Sequence, residues 1–161
     1  MKTLLLMRHA DPDNNNNFSD KERPLTDVGQ RDARQVGAIL RKKDLVPQVI
    51  LCSNALRASQ TARLVADGAG LSDLPTILDT LYMAEPEVYI KIISTLSEEY
   101  KQVLVVGHNP ELGNLVQNLT GKKKELSTGT LVIVSLPFES WNSLEFDRKG
   151  KLIELITPSR L

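Results

Sequence analysis

Short apolar runs and longer stretches of helical periodicity alternate along most of this chain. Thr3–Met7, Val49–Cys52, Thr76–Leu78, Val103–Val106, Leu131–Ser135 and Leu152–Ile156 are rich in aliphatic and β-branched residues and read as strands. Amphipathic segments separate them. Ala33, Val36, Ile39 and Leu40 recur on one face of a first helix, which Thr26 or Asp27 can cap. A second helix begins near Asn54 and carries Ala58, Thr61, Ala62 and Val65 as its inner stripe. The third starts at Pro86, where proline suits a first turn, and presents Val88, Ile92, Ile93 and Leu96. The fourth follows Pro110 and buries Leu112, Leu115, Val116 and Leu119. Strands alternating with helices predict an α/β fold, a three-layer α/β/α sandwich around a mostly parallel sheet. After Gly129 the pattern changes: Pro137–Gly150 links the last two runs with no helix, which predicts a hairpin adding antiparallel strands.

The 161 residues suffice for one domain, 1–161, with a core of its own. Twenty basic and twenty acidic residues cancel, which argues against a general nucleic-acid binder. The compact basic cluster Lys122-Lys123-Lys124 reads as a solvated turn. Tyr82, Tyr89, Tyr100 and Trp141 do not cluster as a base-stacking platform and read as packing residues. A single cysteine, Cys52, excludes an internal disulfide and a cysteine-rich zinc site. It continues an apolar strand, so a buried structural thiol is expected. No run approaches the ~18 apolar residues of a membrane helix. Thr3–Met7 is also too short for a signal-peptide core, and a soluble, cytoplasmic protein with no membrane partner is the expectation. Asn14–Asn17 is the one low-complexity stretch, and it predicts a mobile loop close behind the first histidine, a usual place for substrate contacts.

The chain has only two histidines, and each stands directly after or within a residue or two of an apolar run. If both runs are buried parallel strands, His9 and His108 emerge at the carboxyl edge of one sheet, where open α/β folds place ligands. Three polar clusters would meet there: Arg8-His9, Ser53-Asn54-Ala55-Leu56-Arg57, and Gly107-His108-Asn109-Pro110. They supply two guanidiniums, two imidazoles and the free N–H groups of a helix start. Such a pocket suits a phosphoryl group, because arginine forks bind its oxygens and stabilise the charge of the transition state. A neutral imidazole nitrogen is a competent nucleophile towards phosphorus. Nearby arginine charges disfavour the imidazolium, so His9 is expected to be neutral at neutral pH. A metal site fails on ligand count and on the repulsion Arg8 would exert, and no cofactor is called for. A P-loop fails because Val116 stands where Gly121-Lys122 would need a glycine. A cysteine-dependent phosphate loop fails too: Ser53 to Leu56 is one residue short between Cys52 and Arg57.

Leu6-Met7-Arg8-His9-Ala10 resembles the "RHG" signature of the histidine phosphatase superfamily, the phosphoglycerate mutase-like family. Ser53 to Ala62 resembles its second motif and Gly107-His108-Asn109 its third. Arg23-Pro24-Leu25-Thr26-Asp27-Val28-Gly29-Gln30 is similar to a segment of the small SixA-type phosphohistidine phosphatases. The resemblance implies that His9 accepts the phosphoryl group, that Arg8 and Arg57 bind its oxygens, and that His108 completes the pocket. It also implies that Arg23 reaches the phosphate and that the Asn109 backbone N–H is a further donor. Two departures are small: Ala10 replaces a glycine, acceptable with φ below zero, and Asn54 replaces a common proline. The general acid of the mutases has no clean counterpart, with Asp79 and Glu85 as candidates. Larger relatives build a lid between the third and fourth strands, whereas Asp79 to Gln102 is short here and implies an open groove. The expected reaction is metal-independent phosphatase chemistry on a phosphorylated histidine-containing protein, a phosphotransfer domain in signal transduction. A small phosphate ester as substrate, and a non-catalytic phosphate-recognition module, are the other readings. A mutase would need the enclosing lid to shield its intermediate from water.

Overall fold

The computed structural model describes residues 1–158. Every apolar run of the sequence is a strand: β1 (Lys2–Arg8), β2 (Val49–Ser53), β3 (Thr76–Leu78), β4 (Gln102–Gly107), β5 (Leu131–Leu136) and β6 (Lys151–Ile156). They form one sheet in the order β3-β2-β4-β1-β5-β6. β1 to β4 are parallel, and β5 pairs antiparallel with β1. The expected hairpin forms, with one refinement. Because β6 is antiparallel to β5, it points the same way as β1 again, so β5 alone opposes the other described strands.

Four helices cover the sheet: α1 (Asp27–Lys42), α2 (Leu56–Ala69), α3 (Pro86–Ser94) and α4 (Glu111–Thr120). β1 explains the layering. Leu4 and Leu6 point to one face and Leu5 and Met7 to the other, and all four are fully buried, as period-2 alternation requires of a strand covered on both sides. Leu5 and Met7 pack with Ala33, Val36, Ala58, Ala62 and Val65 of α1 and α2. Leu4 and Leu6 pack with Tyr89, Ile93, Leu112, Leu115 and Val116 of α3 and α4. The architecture is the three-layer α/β/α sandwich expected.

Local chemistry sets the helix starts. Thr26 caps α1, its hydroxyl oxygen accepting the Gly29 N–H at 3.1 Å. α2 starts at Leu56, two residues later than expected, because Ala55 is still extended and gives its N–H to Ser53 Oγ at 3.1 Å. Asn54 therefore does no capping. On α3 the fully buried residues are Pro86, Tyr89 and Ile93, so the stripe expected through Val88, Ile92 and Leu96 is rotated towards Tyr89, an aromatic ring with more area to bury. α1 and α2 touch backbone to backbone: a Cβ on Gly37 would stand 2.2 Å from the Val65 carbonyl oxygen, and one on Gly68 2.2 Å from that of Arg34. Two short 3-10 turns, Asp20–Glu22 and Asp79–Leu81, carry no periodicity to betray them in sequence.

Candidate active site

The strand order puts β4 between β1 and β2, so three carboxyl ends lie side by side. Arg8 is in register with Gly107, and the next residues on each strand, His9 and His108, are therefore neighbours. Their ring centroids are 5.4 Å apart, tilted by 56°. Ser53 ends β2 beside them, and the first turn of α2 brings Arg57 across. Arg8, His9, Arg23, Arg57, His108 and Asn109 all line one cleft, together with Asn14 and Met83.

Both imidazoles are buried, His9 at 6% exposure and His108 at 2%. His9 Nδ1 lies 2.8 Å from the Ala10 carbonyl oxygen. A carbonyl only accepts, so Nδ1 carries the proton and Nε2 keeps the lone pair. Burial pushes the His9 pKa down to about 3, with His108, Arg57 and Arg8 lowering it further and the Ala10 carbonyl opposing. The expected neutral state thus has a different leading cause: desolvation comes before the arginine charges. Ala10 is not among the residues with positive φ, and its N–H donates to Thr61 Oγ1 at 3.0 Å, so the missing glycine costs nothing. His108 Nε2 is 2.8 Å from Ser53 Oγ, while Nδ1 is buried and without a partner among the described residues. Burial, then Arg57, holds its pKa at about 4, with Asp20 opposing.

The arginines are held by the loops they meet. Arg8 Nη1 donates to the Leu126 carbonyl at 2.9 Å, and its Nε is buried without a partner among the described residues. Arg57 is 5% exposed and gives Nη1 to the Asp20 carbonyl at 2.6 Å and Nη2 to Asp20 Oδ2 at 3.1 Å. Arg23 Nε donates to the Asp13 carbonyl at 2.8 Å, and its Nη2 to the side chain of Asn14, so the asparagine stretch is tied to the cleft wall. Asn109 spends its side chain on Leu126 and on the Gly113 N–H of α4, leaving its main chain as what it can offer a ligand. Asp79 and Glu85 are exposed and neither lines the cleft. The connection that carries them sends Tyr82 instead, edge-on to His108 with centroids 5.7 Å apart. Tyr82 is therefore a site residue and not the packing residue expected. Its hydroxyl donates to Asp20 Oδ2. Asp20 and Tyr82 escaped the sequence reading, because no short-range spacing links them to either histidine, whereas Ser53 opens one of the three clusters expected to meet at this edge. Cys52 is fully buried next to the site, its thiol pushed up to about 11 by burial, as expected of a structural residue.

Residues 4–81 match the model of the histidine phosphatase superfamily (branch 1). An uncharacterised protein of Mycobacterium leprae is 32% identical over 119 residues, spanning 71% of this chain and 71% of its own length. Among solved structures, the protein histidine phosphatase SixA complexed with tungstate superposes with a TM-score of 0.83 at 26% identity, covering 98% of each chain. The alpha-ribazole phosphatase of Shigella flexneri shares the fold at a TM-score of 0.70 and 20% identity, covering 97% of this chain and 96% of its own.

Proposed function

The chain belongs to the histidine phosphatase superfamily, and from that membership we propose that it removes a phosphoryl group from a phosphorylated protein histidine through a covalent intermediate on His9. The observation that carries this reading is the state of His9. Its Nδ1–H is committed to the Ala10 carbonyl, so Nε2 holds a lone pair among the guanidiniums of Arg8 and Arg57. In the first step Nε2 forms a bond to phosphorus as the bond to the substrate's nitrogen breaks, the electron pair leaving with that nitrogen. Water then attacks phosphorus, the pair of the P–Nε2 bond returns to His9, and inorganic phosphate departs with the proton of the water released to solvent. The arginines stabilise the phosphoryl oxygens in both transition states. With the Ser53 hydroxyl donating to His108 Nε2, the ring proton of His108 sits on Nδ1, which has no partner among the described residues and is then a donor for the phosphoryl group.

The leaving group supports the substrate class. An alkoxide needs a general acid, and neither Asp79 nor Glu85 lines the cleft. Asp11 does line it, with Oδ2 engaged by the Thr26 hydroxyl at 2.7 Å. A phosphorylated imidazole protonated on its other nitrogen leaves as a neutral ring and makes no such demand. The connection from β3 to β4 holds only the Asp79–Leu81 turn and α3, which suits a groove open to a protein side chain. No described helix is long and apolar enough to cross a membrane. A cytoplasmic phosphorylated signalling domain, acted on without a metal, completes the proposal.

A single-turnover trap tests it, using a labelled phosphohistidine domain in parallel with an aryl phosphate. The expected result is an acid-labile, base-stable phosphoenzyme in the native protein and none in His9→Ala. If His9→Ala turns over as fast as the native protein, the mechanism is wrong. Turnover of metabolite esters with none of the phosphohistidine domain assigns the small-ester reading, and oxyanion binding without any phosphoenzyme assigns a recognition module.

A further inference from the structure

Asp20 lines a groove that adjoins the cleft at Asn14 and Arg23, and there it touches three side chains. Its carbonyl oxygen and Oδ2 accept Nη1 and Nη2 of Arg57 at 2.6 and 3.1 Å. Oδ2 also accepts the Tyr82 hydroxyl, and Oδ1 lies 3.4 Å from Arg23 Nη1. The Tyr82 ring is in turn held under Lys21 Nζ, 4.7 Å from its centroid. One carboxylate thus joins two of the three arginines of the cleft to the tyrosine that leans on His108.

The chemistry of a guanidinium says what this arrangement does. Arg57 has five N–H donors in a rigid fork, and Asp20 takes two of them, leaving three that it does not engage. A buried cation needs a counter-charge, and Arg57 is 5% exposed while Asp20 is half exposed. The carboxylate also offsets the mutual repulsion of Arg8, Arg23 and Arg57 before any substrate arrives. A donor that is already in place need not reorganise when charge develops on the phosphoryl group.

Resting on the phosphoryl-transfer reading above, we infer that Asp20 is a positioning residue, which holds the Arg57 guanidinium in place and ties it to Arg23 and Tyr82. An opposite role is conceivable for a carboxylate on a phosphate-binding arginine: standing in for the substrate and being displaced by it. That role requires Asp20 to occupy the space of the phosphoryl group, whereas its carboxylate lies on the adjoining groove lined by Asn14 and Arg23, and tungstate affinity tells the two roles apart.

Asp20→Asn and Asp20→Glu, each alone and combined with Arg57→Ala, separate these roles. Tungstate affinity is read by calorimetry, kcat and KM with an aryl phosphate, and folding by thermal melting. Asp20→Asn is expected to weaken tungstate and lower kcat by about tenfold, part of the ~10²–10³ that losing a transition-state donor costs outright. Asp20→Glu should restore some of that loss. In the Arg57→Ala background the same substitution should change neither quantity, because Asp20 acts through Arg57. Tighter tungstate binding in Asp20→Asn overturns the inference in favour of a displaced stand-in. An equal loss with and without Arg57 overturns it in favour of a merely structural role. Should Asp20→Asn fail to fold, Tyr82→Phe removes only the hydroxyl that steadies the carboxylate; a smaller loss that vanishes in Arg57→Ala supports the inference, and no loss overturns it. The tungstate measurement needs no turnover, so a native protein inactive on phosphohistidine but binding tungstate refutes the proposed substrate while leaving the role of Asp20 decided.

Discussion

Lowering the pH from 7 to 5 should cost the fold about 4 kcal/mol through His9 and His108 alone. Unfolded, each imidazole takes up its proton near pH 6.5. Folded, burial delays that uptake to about pH 3 for His9 and about pH 4 for His108. Above pH 6.5 neither state is protonated and the full stability is present. Below it the unfolded chain binds two protons that the native protein does not, so stability falls until the native pKa values are reached. Each proton contributes about 1.4 kcal/mol per pH unit, and two of them over the ~1.5 units from 6.5 to 5 give the figure above. Against a typical stability of about 5–15 kcal/mol this is a large share. Asp32 works in the opposite direction: burial raises its carboxyl pKa, so the native state gains a proton first and recovers some stability in acid. The histidine share is isolated by urea titrations at pH 7, 6 and 5 of the native protein, His9→Asn and His108→Asn. Each substitution should remove about half of the histidine slope. Equal stability of the native protein at pH 7 and 5, or an unchanged slope in both variants, would refute the reasoning. The same depressed pKa keeps His9 unprotonated in mild acid, so under the proposed mechanism neither imidazole should produce an acid limb near pH 6.5 in kcat/KM.

Arg57→Ala should slow phosphoryl transfer by about 10²–10³, the usual effect of losing one charge-stabilising donor, and a loss under threefold in single-turnover rate contradicts its role. Gly37→Ala places a methyl 2.2 Å from the Val65 carbonyl oxygen and must push α1 from α2; a cost of about 1–3 kcal/mol is expected in thermal melting, and an unchanged melt disproves the close crossing. Ser53→Ala strips His108 Nε2 of its partner in a buried setting. Chemical denaturation should show a loss of about 1–3 kcal/mol, and full stability in the variant would mean that His108 finds another partner.

The central strands were legible because burial on both faces writes itself as a continuous apolar run, as in Leu4-Leu5-Leu6-Met7 and Val103–Val106. Thr26 was legible as a cap because its bond to the Gly29 N–H spans three residues. The start of α2 was misplaced because Ser53, not Asn54, takes up the free N–H at that turn, and both residue types favour such a bond. On the site, Arg8, His9, Arg57 and His108 were readable from their positions after strands. Asp20 and Tyr82 were not: Asp20 meets Arg57 from 37 positions away in sequence and Tyr82 meets Asp20 from 62, through a 3-10 turn and a loop with no pattern.

By itself the sequence determined the layer type, the strand ends that carry chemistry, and the choice of an imidazole pocket lined with arginines. Those are local properties, set by the alternation of side chains and by which residue follows each buried run. The tertiary structure decided the strand order, and with it the placement of β4 beside β1 that brings His9 and His108 together. It also decided the proton position on His9, through the Ala10 carbonyl, and the neutral state of both rings, through burial. Desolvation depends on everything packed around a group in three dimensions, and no short stretch of chain encodes it.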